Sequence, residues 1–244
     1  MKNFFLIFLI CFLISCKSDS KKNVSDWINL FDGTSLEGWR AYNGNEMPPG
    51  WMVIDSILTF TTDQIMEKDY DYKGSRDIIY GASEFDNFEL YVEWKIPKGG
   101  NSGIFYHLKE GYGGPPEVAP EYQLLDDENY EEVHNYKLKE WQKTGADYAM
   151  HIPDTLEKKL NPVGEWNSSR IVFTPESVEH WLNGRKILSF VPGQRIGIKE
   201  EIQANGVMLQ IMQNSKLDLL AFRTTGVTCG LEMLRSKNCK KFNL

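Results

Sequence analysis

One stretch restricts this chain more than any other. Phe88, Leu90, Val92, Trp94 and Ile96 alternate without a break with Glu89, Tyr91, Glu93 and Lys95. Side chains two residues apart share a face only in a strand, so this period describes a β-strand with one buried side. No long run of period 3.6 competes with it. Ile171 to Phe173 reads as a further short strand, and Ile78 to Tyr80 as another. Two tight hairpins punctuate the pattern. Asn183-Gly184 lies between Ser177–Leu182 and Lys186–Phe190, and Asp55-Ser56 lies between Trp51–Ile54 and Ile57–Thr61. Asn-Gly suits a two-residue turn in which both positions need positive φ. Tyr136 to Gln142 is expected to form one short helix. Many short strands with Gly, Asn and Pro between them predict an all-β chain, a sandwich or jelly roll of two antiparallel sheets. With no repeat and no linker in view, residues 26–244 form a single domain.

The first residues read as an address. Lys2 precedes an apolar run from Phe4 to Ile14, too short to stay in a bilayer as a spanning helix. Leu13-Ile14-Ser15-Cys16 resembles a bacterial lipobox with Cys16 as the lipidated residue, and 17–25 then forms a tether. The expected place is the bacterial cell envelope, lipid-anchored at the periplasmic or outer-membrane surface. Cys11 falls in the leader, and Cys229 and Cys239 in the tail, so no disulfide framework is implied. A formal charge of -7 and a pI near 5.2 argue against a nucleic-acid partner.

The run EWKIPKGGNSGIFYHLKEGYGGPPEVAPEYQLLDD, Glu93 to Asp127, carries the candidate site. A strand ends at Gly-Gly-Asn-Ser-Gly, a second leads through Ile104–Tyr106 to His107, and a third covers Glu121 to Asp126. Alternation puts Glu121, Gln123 and Leu125 on one face of that third strand and Tyr122, Leu124 and Asp126 on the other. Hydrogen-bonding side chains on a strand face beside aromatics suit a carbohydrate ligand.

The chain resembles the 3-keto-disaccharide hydrolase family. The residues that carry the resemblance are WINLFDGTSLEGWR (Trp27 to Arg40), GWMVIDSILTF (Gly50 to Phe60), FDNFELYVEWKIPKGGNSGIFYH (Phe85 to His107), PEYQLLDD (Pro120 to Asp127), TGADYAMHIP (Thr144 to Pro153), NPVGEWNSSRIVF (Asn161 to Phe173) and HWLNGRKIL (His180 to Leu188). It implies a concanavalin-like double sheet and cleavage of glycosides oxidised to a ketone at C3. It stops at Gly206–Gln210, beyond which the family continues with an Asp-His pair and a terminal strand. A one-nucleotide change of frame after Gln210 would let the Gln210–Ile211 and Ile211–Met212 junctions encode Asp and His. The same change lets Cys229 to Lys237 encode WFRNVKIK. Residues 211–244 are therefore read as frameshifted; as written, the tail is expected to lack the last strand and to leave a raw sheet edge.

A C3 ketone acidifies the hydrogen on C2. A base can remove it, the enolate can expel the C1 oxygen, and water can then add. Glu121 is the candidate base and His107 a candidate proton carrier. Asn101 and Ser102 are candidates to bind hydroxyls or polarise the ketone. Gln123, Asp126, Arg76, Trp166 and Asn167 complete the candidate substrate contacts, the last four each with a structural alternative. Asp126 could cap a loop, Arg76 could be a surface cation, Trp166 is favoured as core, and Asn167 as a loop fastener. Gly99, Gly100 and Gly103 are assigned to the turn. His107, His134, His151 and His180 show no metal spacing, and no cofactor is predicted, with a divalent ion on His107 and carboxylates left as an alternative. A non-catalytic carbohydrate-binding lipoprotein and an ordinary glycoside hydrolase are the rival readings.

Overall fold

A computed structural model of the chain describes residues 27–61, 72–193, 218–224 and 229–238, the last two segments by their backbone path. The leader, its Cys16 and the Gln210–Met212 junctions lie outside these residues. The described strands, all paired antiparallel, form an eight-stranded and a five-stranded sheet. In the first sheet the order is β11 (Arg185–Phe190), β10 (Val178–Leu182), β9 (Asn167–Phe173), β6 (Phe88–Lys95), β13 (Cys229–Asn238), β4 (Ile57–Phe60) and β3 (Trp51–Ile54), with β1 (Ile28–Asn29) beside β13. In the second it is β2 (Trp39–Ala41), β5 (Ile78–Phe85), β12 (Asp218–Thr224), β7 (Asn101–Leu108) and β8 (Glu121–Leu125). This is the concanavalin-like sandwich.

The alternating run became β6, with Phe88, Leu90, Val92 and Trp94 each at most 1% exposed. Both expected hairpins form. Asp55 and Ser56 take φ of 51° and 64°, and Asn183 and Gly184 take 48° and 78°, the left-handed pair that a twisted two-residue hairpin demands. The core fills the space between the sheets. Tyr106 of β7 meets Phe173 of β9 edge-on at 6.2 Å, and Phe173 stacks on Phe88 of β6 at 5.5 Å. A second apolar cluster, with Tyr42, Ile79, Phe105 and Val118, covers part of the outer face of the five-stranded sheet.

Two expectations change. The helix falls on α1, Tyr130–His134, rather than on Tyr136–Gln142, because Asn135 turns left-handed at φ 47° and stops it. Only Glu140–Gln142 keeps a single 3-10 turn. The tail, as written, does supply strands. β13 lies inside the first sheet, with Leu231 opposite Trp94 on one side and Leu58 on the other. β12 lies inside the second, with Ala221 opposite both Phe105 and Ile79. Both carry register irregularities, between Asp218 and Leu220 and between Glu232 and Arg235. The expected raw edge at the place of the last strand is thus filled.

Buried His180 ties the sheets together. Its Nδ1–H donates to the Gly145 carbonyl at 3.0 Å, so its Nε2 accepts from the Tyr106 hydroxyl at 2.9 Å. That arrangement holds the ring neutral, and burial pushes its pKa down from 6.5 to about 3. Between those two values the unfolded chain binds a proton that the folded chain refuses, so stability falls as pH drops through that window. The slope from this group is about 1.4 kcal/mol per pH unit. Asp147, whose carboxyl is pushed up by burial, acts in the opposite sense, losing its contribution as pH rises. The urea midpoint of the parent protein should fall between pH 7 and pH 4.5, and His180→Gln should show a slope smaller by one proton; equal slopes would contradict this assignment.

Candidate functional site

The site grows from the pairing of β7 with β8. Asn101 lies opposite Leu125, Gly103 opposite Gln123, and Phe105 opposite Glu121. Because successive residues point to opposite faces, Ile104, Tyr106, Tyr122 and Leu124 enter the core between the sheets. Asn101, Gly103, Glu121, Gln123 and Leu125 face outward.

Glu121 is buried, with 4% of its surface exposed, and its side chain leans across to β7. Its Oε1 lies only 1.9 Å from where a β-carbon on Gly103 would stand. No side chain could share that place, so the bare strand at Gly103 is the floor on which the carboxylate rests. The turn role expected of Gly103 is corrected: it lies inside β7.

Further along the same face, and without Glu121 or Gly103 in its lining, a cleft of about 210 Å³ opens with Asn101, Gln123 and Leu125 as its floor. Tyr130, Tyr136, Leu138, Gln142 and Tyr148 form the walls, all from the connection that follows β8. That connection also closes the outer edge of β8. Gln123 N–H donates to the Ala146 carbonyl at 3.1 Å, Gly145 N–H to the Gln123 carbonyl at 2.9 Å, and Tyr148 N–H to the Glu121 carbonyl at 2.9 Å. Covering an edge in this way removes a row of unpaired backbone groups.

The amides of the cleft are largely engaged with their neighbours. Gln123 Nε2 donates to the Gln142 carbonyl at 3.2 Å. Gln142 Nε2 donates to the Tyr136 and Tyr148 hydroxyls at 3.1 and 3.2 Å, and its Oε1 accepts from the Lys139 N–H at 3.1 Å.

Other candidates hold the frame. Asp126 Oδ2 accepts from the Gly99 N–H at 2.8 Å, and its Oδ1 accepts from the Asn129 N–H at 3.1 Å and the Asn129 amide at 3.0 Å. His134 Nε2–H donates to the Gly99 carbonyl at 2.8 Å. Together Asp126 and His134 fasten the turn that delivers Asn101 to the cleft. Asp126 is a loop cap rather than a cleft residue.

Several candidates are not gathered there. His107 has φ of 56°, which breaks the alternation and swings its ring inward, where it stacks on Phe173 at 4.5 Å. It therefore lies between the sheets, on the far side of β7 from the Glu121 carboxylate. Ser102 is fully buried opposite Leu124 and also faces inward. Arg76 donates to the Pro49 carbonyl at 2.8 Å, away from the cleft. Trp166 is half-buried rather than core, with Lys95 Nζ 5.0 Å from its ring. Asn167 Oδ1 accepts from the Asn161 N–H and the Asn183 amide at 2.9 and 2.8 Å, a loop fastening in the other sheet. Among the described residues no three His, Cys, Asp or Glu side chains gather as metal ligands.

Sequence reasoning missed the Tyr130, Tyr136 and Tyr148 walls and the buried Asp147–His151 pair. In that pair His151 Nδ1–H donates to Asp147 Oδ2 at 2.7 Å and the ring stacks on Phe190 at 4.1 Å. Asp147 lies opposite Tyr122 on the inner side of β8, so the pair is separated from the cleft by the sheet.

Residues 26–227 match the 3-keto-alpha-glucoside-1,2-lyase-like domain, so the match extends past Gln210, the limit of the motifs quoted from the sequence. A 3-keto-disaccharide hydrolase of Bacteroides thetaiotaomicron is 34% identical over 175 residues, which cover 67% of this chain and 58% of that protein. The aligned region thus spans less than two thirds of that relative. A Parabacteroides distasonis protein of known crystal structure, provisionally named a glycosyl hydrolase, superposes with a TM-score of 0.68 at 34% identity, covering 88% of this chain and 94% of that one. A second one from the same organism, named likewise, reaches 0.63 at 20% identity, covering 87% of this chain and 99% of that one, a likeness of fold.

Proposed function

The chain belongs to the 3-keto-alpha-glucoside-1,2-lyase-like family, and from that premise we propose that it cleaves glycosides oxidised to a ketone at C3, by elimination followed by hydration. The name of the Bacteroides relative supports the substrate class. The observation that carries the reading is the Glu121 carboxylate, held in a buried place over Gly103 beside Asn101 and Gln123.

Glu121 takes the proton from C2 as the C2–H electron pair moves to form the enolate. Asn101, on the same face two residues from Gly103, lies on the side of the departing C1 oxygen and donates a hydrogen bond to it. The enolate collapses to a C1–C2 double bond, the C1–O bond breaks, and its electron pair leaves with the departing oxygen. The proton on Glu121 returns to that oxygen. Water then adds at C1 and a proton at C2, so the net change is hydrolysis. Neither His107 nor Ser102 takes part.

The protein works outside the cytoplasm on a lipid anchor at Cys16, a reading supported by the apolar leader and the lipobox-like Leu13–Cys16. Cys16→Ser should move it from the membrane to the soluble fraction; unchanged membrane association would oppose the anchor.

Turnover separates the readings. Release of the leaving alcohol from a 3-keto-glucoside, with the parent glucoside untouched, is the expected result. Cleavage of the parent would favour an ordinary glycosidase, and binding without cleavage a carbohydrate-binding protein. Glu121→Gln should lower kcat by about 10²–10⁴-fold. Gly103→Ala should displace the carboxylate and lower kcat about 100-fold with the fold retained. Full activity in either variant would remove Glu121 from the reaction.

A further inference from the structure

We propose that the tyrosine-walled cleft is a leaving-group subsite built for an aromatic aglycone, an inference that rests on the reading above. Three observations lead to it.

The first is direction. The sugar ring must place C2 at the Glu121 carboxylate, over Gly103. C1 and its leaving oxygen are one bond further on. Along the strands, one way is closed: Phe105, Val118 and Ala119, each at most 1% exposed, fill the outer face beyond Glu121. The other way leads to the row of Asn101 and Leu125, about 6.8 Å from the row of Gly103 and Gln123, where the cleft opens.

The second is chemistry. A second sugar would need hydrogen-bonding groups for its hydroxyls. The Gln123 amide instead donates to the Gln142 carbonyl, and the Gln142 amide donates to the hydroxyls of Tyr136 and Tyr148 and accepts from the Lys139 N–H. The walls carry the rings of Tyr130, Tyr136 and Tyr148 together with Leu138, and Leu125 adds an apolar patch to the floor. Tyr136 remains 47% exposed although its hydroxyl is tied down, so its ring is held in place without being covered. A fixed, uncovered ring is a stacking platform.

The third is size. The cleft, about 210 Å³, is ample for one aromatic ring, given that about 150 Å³ holds a benzene.

The test uses benzyl and methyl 3-keto-glucosides, whose leaving groups are both simple alcohols, so that differences report binding rather than leaving-group acidity. A 3-keto-disaccharide is the third substrate. The expected result is a kcat/KM for the benzyl compound about tenfold above the methyl compound, carried mostly by KM. Tyr136→Ala should erase most of that ratio, and Tyr136→Phe should retain it. A ratio near one in the parent protein, or a ratio unmoved by Tyr136→Ala, overturns the subsite while leaving the reaction intact. A disaccharide that depends on Tyr136 as strongly as the benzyl compound overturns the choice of occupant. If no 3-keto compound is cleaved, the proposed reaction fails and calorimetry judges the subsite alone. Benzyl glucoside must then bind tighter than methyl glucoside in the parent protein and lose that margin in Tyr136→Ala; equal affinities overturn it.

Discussion

Everything distinctive about the outer face of the five-stranded sheet depends on one close approach, the Glu121 side chain lying across the bare backbone of Gly103. The register of β7 against β8 sets it, because Glu121 is opposite Phe105 and its side chain must reach diagonally to find open space. A glycine within a strand weakens it slightly, by leaving nothing to pack. Here the missing side chain makes a place for a buried carboxylate one row from Asn101. The strand gives up local stability, and the surrounding sandwich, with its core between the sheets, tolerates the loss.

The connection after β8 serves structure and site together. Its 144–148 segment bonds to the edge of β8 and prevents another strand from adding there. The same connection carries α1 and the tyrosines that wall the cleft. The Asp126 and His134 bonds to Gly99 then join this connection to the turn before β7. The walls and the turn that carries Asn101 are therefore joined through these two hydrogen bonds.

What could be read from the sequence was what depends on neighbours along the chain. The faces of β6 and β8 followed from strict alternation, and both hairpins from residue pairs that accept positive φ. The shared face of Glu121 and Gln123 followed from the same alternation, whereas Asn101, read in the turn, joined them through the register of β7 with β8. What depends on contacts across the fold was not legible. His107 could be turned inward only by a positive φ that no local pattern announces. Gly103 gained its meaning from a residue eighteen positions away, and Trp166 lost its expected burial to a surface stack with Lys95. The tail departs from the quoted family pattern after Gln210, yet its backbone enters the middle of both sheets, because antiparallel pairing asks little of side-chain identity at the level of the ladder.

The central claim is that Glu121 removes a proton from C2 of a 3-keto sugar. Its most direct test is cleavage of a 3-keto-glucoside in D₂O, followed by NMR of the released sugar, under conditions in which the free keto sugar alone does not exchange. The account predicts one deuterium at C2 in the product formed by the parent protein, and neither product nor exchange into substrate with Glu121→Gln. A product that keeps its original hydrogen at C2 would contradict it.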